Sequence, residues 1–314
     1  MILITGGGGF YGRNIARFLV DQGRNVLLLQ RSPFEVPSFL APFWDKQVKG
    51  IRGDVQSLPF LMELVKAHQV ESIIHLAGVS RAAKLPAHEI IQVNVQGTVN
   101  VLETARFLGL RRVTFASSNT VYHGMKNPPK GPYPEDLELP AVSPTGGFIP
   151  YTKKAAEQLC LLYAKEHKLS VCIIRGGNGY GPGSHRSNPP DILVPDAVQG
   201  KSVDFSHAPE NGTLAPVYSK DLAKGYGLLH LSEPLKHPIY NISSGNRYTF
   251  SEVVGMIKDL IPNADIRLGP PSKDVSLYYP SIARAKEDVG YVPEYGDLKK
   301  GIGAYIEYLR HGRY

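Results

Sequence analysis

The stretch Thr5-Gly6-Gly7-Gly8-Gly9-Phe10-Tyr11-Gly12 decides how this chain is read. Before it stands Ile2-Leu3-Ile4, a run short enough for a buried strand. After it, Ile15, Ala16 and Leu19 recur at helical spacing. Strand, glycine turn and helix, in that order, build a phosphate site. Gly6 permits a tight turn, Gly9 lets the backbone approach a pyrophosphate, Gly12 lets the helix pack on the strand, and the free N–H groups of the first helical turn face the anion. A glycine triplet alone is a weak signal, because glycine-rich turns are common. The flanking strand and helix make it a dinucleotide site.

Val26-Leu27-Leu28-Leu29 is the next apolar run, and it ends in Gln30-Arg31, where this arrangement reads the ribose 2′ group. An acidic residue there would accept from a free 2′-hydroxyl. Gln30 is uncharged and Arg31 offers a fork for a 2′-phosphate, so the expected cofactor is NADP, with NAD the alternative. Further on, a strand closes at 52–55 and Leu58, Leu61, Leu64 and Val65 mark one helix face over 57–68. A strand over 72–76 runs into His75-Leu76-Ala77-Gly78, small residues beneath the cofactor, with His75 read as a packed strand-end residue. A long helix follows over 86–108, then a strand over 112–116 with hydroxyl-bearing residues at its carboxyl end. A helix over 151–167, with Pro150 in its first turn, and a strand over 169–175 complete the alternation. This order predicts an α/β protein, a doubly wound parallel sheet of Rossmann type, with ligands at the carboxyl ends of the strands. We place the dinucleotide-binding domain at 1–175, with some later segments crossing back. A smaller substrate lobe takes 176–314, where frequent prolines leave only 251–261 and 298–309 as predicted helices.

Composition narrows the function. The 314 residues are 42% hydrophobic and 20% charged, as in a globular protein with a sizeable core. The net charge of +7 is spread along the chain, which fits a phosphorylated small ligand better than a nucleic acid. No apolar run is long enough for a membrane span, and with the first strand at residue 2 we expect a cytoplasmic protein without a leader. Cys160 and Cys172 lack metal-ligand spacing and read as buried reduced thiols; no metal site is expected.

The motifs taken together resemble those of the extended short-chain dehydrogenase/reductases, the branch of nucleotide-sugar epimerases, dehydratases and ketoreductases. They are the glycine turn, Gly53-Asp54, His75-Leu76-Ala77, Asn94-Val95-Gln96-Gly97-Thr98 and Ser117-Ser118-Asn119-Thr120-Val121-Tyr122. Later in the chain come Arg175 to Gly183 as R-x-x-N-x-Y-G-P-G, Tyr240 to Gly245 as Y-N-I-x-S-G, and Gly290 to Pro293 as G-Y-x-P. The resemblance implies hydride transfer at a sugar alcohol or carbonyl, a nucleotide-sugar substrate and a homodimer built on the helices at 86–108 and 151–167, with Val93, Val101, Leu102, Leu159 and Leu162 as its apolar residues. It implies cofactor contacts from Gly6, Gly9, Phe10, Tyr11, Gly12, Gln30, Arg31, Asp54, Val55, Leu76, Ala77, Gly78, Asn94 and Ser117. Substrate contacts fall to Ser80, Asn178 and Lys273, and Ser118 is the catalytic serine.

The family's Y-x-x-x-K, a general acid/base tyrosine with a lysine on the same helix face, is altered here. Phe148-Ile149-Pro150-Tyr151-Thr152-Lys153-Lys154-Ala155-Ala156-Glu157 has alanine four residues after Tyr151. One register pairs Tyr151 with Lys154 and is preferred; the other takes Lys153 as the ribose ligand and puts Ile149 at the tyrosine position. A family arginine of the substrate lobe falls near Leu214, and a second is Lys273, which weakens a bidentate diphosphate grip. Two alternatives to the nucleotide-sugar enzyme therefore stand: a reductase or dehydrogenase of another small carbonyl, and a catalytically inactive dinucleotide-binding regulatory protein.

Overall fold

The computed structural model describes residues 1–79, 85–125, 129, 131–143, 147–184, 188–273 and 279–314. Seven strands form one parallel sheet: β1 (Ile2–Thr5), β2 (Val26–Gln30), β3 (Val48–Arg52), β4 (Ser72–His75), β5 (Arg112–Ala116), β6 (Val171–Gly176) and β7 (Ile239–Ile242). Their order is β7-β6-β5-β4-β1-β2-β3. The chain runs outward from β1 through β2 to β3, then jumps back to β4 on the other side of β1. That reversal opens a crevice at the carboxyl ends of β1 and β4.

Both faces of the sheet are covered, so its strands read as continuous apolar runs rather than alternating ones. Ile2, Ile4, Val26, Leu28, Ile74, Cys172, Ile174 and Tyr240 point to one face, against α1 (Phe10–Asp21), α7 (Ser219–Leu231) and α9 (Ala283–Val289). Leu3, Leu27, Leu29, Ile73, Val113, Phe115 and Ile173 point to the other, against α2 (Leu58–Ala67), α4 (Gly97–Leu108) and α5 (Ile149–His167). Each such side chain contributes about 1.5–3 kcal/mol on burial. A third core, with Tyr180, Leu193, Phe205, Leu214, Tyr218, Val253 and Ile302, joins α6 (Pro189–Val198), α8 (Phe250–Leu260) and α10 (Leu298–His311) into the lobe.

Several elements differ from expectation for local reasons. The helix over 86–108 is not regular: α3 (Ala87–Ile91) passes into a π turn at Gln92–Gln96 before α4. That turn carries Asn94, which is tied to Val79 across the crevice. Helix α6 was hidden by its prolines, yet Pro189 and Pro190 occupy its first turn, where no N–H is needed, and Pro195 lies inside it. Helix α7 and strand β7 return from the second half of the chain to the first: Gly227 of α7 lets Phe18 of α1 approach so closely that a Cβ there would lie 2.2 Å from the ring.

Candidate active site

Geometry at the glycine turn follows from contacts that only glycine allows. Gly6 has φ +68°, and a Cβ on it would lie 2.8 Å from the Ala77 nitrogen. Gly12 packs on the turn itself, where a Cβ would meet the Gly7 oxygen at 2.5 Å. Gly9 is the N-cap of α1 and supplies no side chain to its first N–H groups. Phe10 is buried, and Tyr11 donates from its hydroxyl to the Gly177 carbonyl at 2.9 Å, joining this turn to the segment after β6. Beside the turn lies a cavity of about 150 Å³ lined by Gly6, Gln30, Arg31, Gly53, Asp54, Val55, Ala77 and Gly78 among others. Gln30 is folded over Gly8 and donates to the carbonyls of Ser32 and Pro33; Arg31 is mostly exposed, 3.9 Å from Asp54.

On the β4 side the crevice wall is held by hydroxyls and amides. Leu76 and Ala77 donate their N–H groups to the carbonyl and hydroxyl of Thr5. Asn94 accepts from the Val79 N–H at 2.7 Å and donates to the Thr152 hydroxyl at 3.0 Å, which links the loop after β4 to α5. His75 lies between Thr5 (2.7 Å) and Thr98 (3.1 Å), and burial pushes it down to about 3, so it is a neutral structural imidazole at physiological pH. Ser80 lies outside the described residues.

Helix α5 brings Lys153, rather than Lys154, to this floor. The Lys153 ammonium donates to the Ala116 carbonyl at 2.5 Å and sits 4.8 Å over the Phe115 ring. It would lie 3.6 Å from a Cβ on Gly78. Burial pushes it down to about 8. Tyr151 and Lys154 face the other way. Tyr151 is 40% exposed and its hydroxyl bonds the main chain of Ser143, while the Lys154 ammonium donates to the Pro140 carbonyl and the Ser143 hydroxyl. Tyr151 and Lys154 do pair, with the ammonium 5.2 Å over the ring, but the pair faces the 140–143 segment rather than the crevice floor. The helix begins at Ile149, and that start turns Tyr151 out toward the 140–143 segment.

Ser117 and Ser118 also part company. Ser117 donates a short hydrogen bond to Glu157, whereas Ser118 caps the turn Asn119–Tyr122 and accepts from the N–H and the hydroxyl of Thr120. Glu157 holds a buried two-pronged ion pair with Arg175, at 3.0 and 2.8 Å, and Arg175 also donates to the Tyr122 hydroxyl and the Glu135 carbonyl. Glu135 in turn accepts from the Asn241 N–H at 2.8 Å and faces Arg284. This network joins β5, α5, β6, β7 and the loop over the site. Glu157 and Arg175 stand inside the quoted motifs without this role; the signal was one charge on the buried face of α5 and another in the fully buried β6.

On the lobe side Asn178 opens a short strand, Asn178–Tyr180, paired with Pro216–Tyr218, and is partly exposed. Lys273 is exposed, and Leu214 is buried in the lobe core opposite Tyr248. Cys160 and Cys172 are buried free thiols, and no metal-ligating cluster occurs among the described residues.

Residues 2–243 match the model of the NAD dependent epimerase/dehydratase family. A protein of Methanocaldococcus jannaschii described as a putative UDP-glucose 4-epimerase is 28% identical, with 99% of each chain covered. The structure of MoeE5 in complex with UDP-glucuronic acid and NAD superposes with a TM-score of 0.82 at 26% identity, covering 99% of both chains. That of a UDP-glucose 4-epimerase with UDP-glucose from Thermotoga maritima gives 0.85 at 22% identity, again over 99% of both, and bears on the fold alone.

Proposed function

This chain belongs to the NAD dependent epimerase/dehydratase family, within the extended short-chain dehydrogenase/reductases, and from that premise we propose that it transfers a hydride at an alcohol or carbonyl carbon of a nucleotide-linked sugar. The observation that carries this reading is the floor of the crevice. Lys153, buried and held at the Ala116 carbonyl beside Gly78, stands where a dinucleotide lying over the glycine turn would present its nicotinamide half. The turn fits a pyrophosphate, since Gly9 leaves the first turn of α1 without a side-chain cap. The cavity between Arg31, Asp54 and Val55 fits an adenosine. When bound, the dinucleotide supplies the hydride acceptor; the chain's own residues bind it, exclude water and move the proton.

The Methanocaldococcus jannaschii relative is described as a putative UDP-glucose 4-epimerase, and MoeE5 holds UDP-glucuronic acid and NAD. Gln30 and the exposed Arg31 support NADP as the preferred form in this chain, because neither repels a 2′-phosphate. Asn178 and Lys273 are the proposed contacts to the substrate diphosphate, Ser80 a further proposed substrate contact, and Ser118 the proposed hydrogen-bond donor to the sugar oxygen. A second reading, reduction or oxidation of another small carbonyl, is favoured by Leu214, an apolar side chain buried in the lobe core at the position where the family carries an arginine. Thermal shift with UDP- and dTDP-sugars, followed by absorbance of the reduced cofactor, separates the two: stabilisation and turnover with a nucleotide sugar support the first, turnover confined to simple carbonyls the second. A homodimer is also proposed. So is a cytoplasmic location, consistent with two buried free thiols and with described helices that are all too short or too polar to cross a membrane.

A further inference from the structure

Four residues before Lys153, on the helix face where a phenol would share its environment, stands Ile149, which is 7% exposed. The hydride chemistry proposed above still needs a group that takes up and returns a proton, and the titratable groups around this floor are otherwise engaged. Tyr122 is fully buried, bound by Arg175 and Asn241, and pushed up to about 12 mainly by burial. Glu157 is held by Arg175 and Ser117. Glu135 is held by Asn241 and faces Arg284. His75 is locked between two threonines, the Cys160 thiol is pushed up by burial, and Tyr151 and Lys154 are turned to Ser143 and Pro140.

Lys153 differs from all of these. Glu157, the carboxylate that acts on it, is taken by the guanidinium of Arg175, its hydrogen bond among the described residues is to a neutral carbonyl, and it lies against Gly78 on the crevice wall. We propose that Lys153 is itself the acid/base of this enzyme, in place of the missing tyrosine. As the hydride leaves the sugar carbon for the dinucleotide, the proton on that carbon's hydroxyl passes to the neutral Lys153 amine, directly or across one hydroxyl, giving a ketone and an ammonium. In the reverse step the ammonium returns the proton to the ketone oxygen as the hydride comes back. Burial, with only partial compensation from Glu157 and Cys160, brings Lys153 down to about 8, so both forms are populated where an enzyme of this kind works.

This inference rests on the proposed function, and its test separates the two. Lys153→Arg keeps the charge but cannot release the proton, and Lys153→Gln covers the case in which the arginine does not fit. In the protein without dinucleotide, NMR of lysine labelled at Cε should show one resonance titrating near pH 8 that is absent from both variants. In turnover of a UDP-sugar, the wild-type pH profile should carry a limb near 8. Lys153→Arg should lose that limb and about 10²- to 10⁴-fold in turnover, with dinucleotide affinity by fluorescence reduced far less. Adding Ile149→Tyr to Lys153→Arg should recover turnover at least in part, because a phenol then occupies the vacated role. A limb that persists in Lys153→Arg, or a Lys153 resonance titrating above pH 10, overturns the proposal while leaving the function standing. Dinucleotide binding without turnover in the wild type overturns it as well. A chain that binds neither dinucleotide nor nucleotide sugar overturns the functional reading itself.

Discussion

Tyr151 and Lys153 stand two residues apart on α5, which turns their side chains roughly 200° from one another. Two residues of register therefore decide which of them meets the crevice. Tyr151 bonds Ser143 on the outside of the helix, so Tyr151→Phe should leave turnover near that of the parent, where loss of an acid/base costs about 10²–10⁴; steady-state kinetics on a nucleotide sugar checks this. His75 supports a pH prediction. Its folded-state value of about 3 lies below the unfolded value near 6.5, so the unfolded chain binds more protons between these limits and stability falls with pH across them. By pH 5 this one imidazole costs about 2 kcal/mol, to be read from urea midpoints of the wild type against His75→Asn, whose slope should be flatter. His230, buried between Ser72 and Thr114 and likewise held neutral, adds in the same direction. Arg31 is free enough to turn from Asp54 to a 2′-phosphate. Arg31→Ala should accordingly weaken NADPH binding and spare NADH, as measured by fluorescence titration; equal loss of both would end the NADP assignment.

At the scale of elements, the buried Glu157–Arg175 pair is where α5, β6 and the loop over the site are fastened together. Replacing Arg175 by Met leaves Glu157 without its partner, with Tyr122 and the Glu135 carbonyl also losing a donor, and should cost about 3–5 kcal/mol in urea unfolding. A double substitution, Arg175→Met with Glu157→Met, should cost less than the single one, because no buried charge is then left unpaired. These partners were not legible from spacing, since they lie 18 to 53 residues apart and meet only when β5, β6 and α5 are packed. What was legible came from local rules. The glycine turn, the apolar runs of β1, β2, β4, β5 and β6 and the amphipathic faces of α1 and α2 each announce themselves within a dozen residues. Helices α6 and α7 did not: prolines mask the first, and the second is apolar on more than one side because it is wedged between the sheet and α1.

For the whole molecule, the crevice is assembled from both halves of the chain. Tyr11 reaches the Gly177 carbonyl, Asn14 donates to the Pro182 carbonyl, and the Tyr314 hydroxyl donates to Asn14, so three segments far apart in sequence hold the cofactor turn. Periodicity speaks of one element at a time and could not foresee such a clamp. The same limit shaped the expectation of a dimer. Val93, Val101 and Leu102, named as interface residues, are buried in the chain's own core, and Val101 and Leu102 are fully so. The apolar surface left on α3, α4 and α5 includes Ile91, Phe107 and Leu162, at 45%, 56% and 50% exposure, with the Arg106 guanidinium 4.0 Å over the Phe107 ring. Each, already about half buried, would return about 1 kcal/mol if a second copy covered the rest, and a two-fold pairing counts every residue twice. The wild type should therefore scatter light as a dimer at micromolar concentration, and Phe107→Glu with Leu162→Glu should scatter as a monomer that keeps its thermal transition and its affinity for dinucleotide, since neither residue lines the crevice. A wild-type monomer under these conditions removes the dimer, and a charged variant that remains dimeric moves the interface to another face.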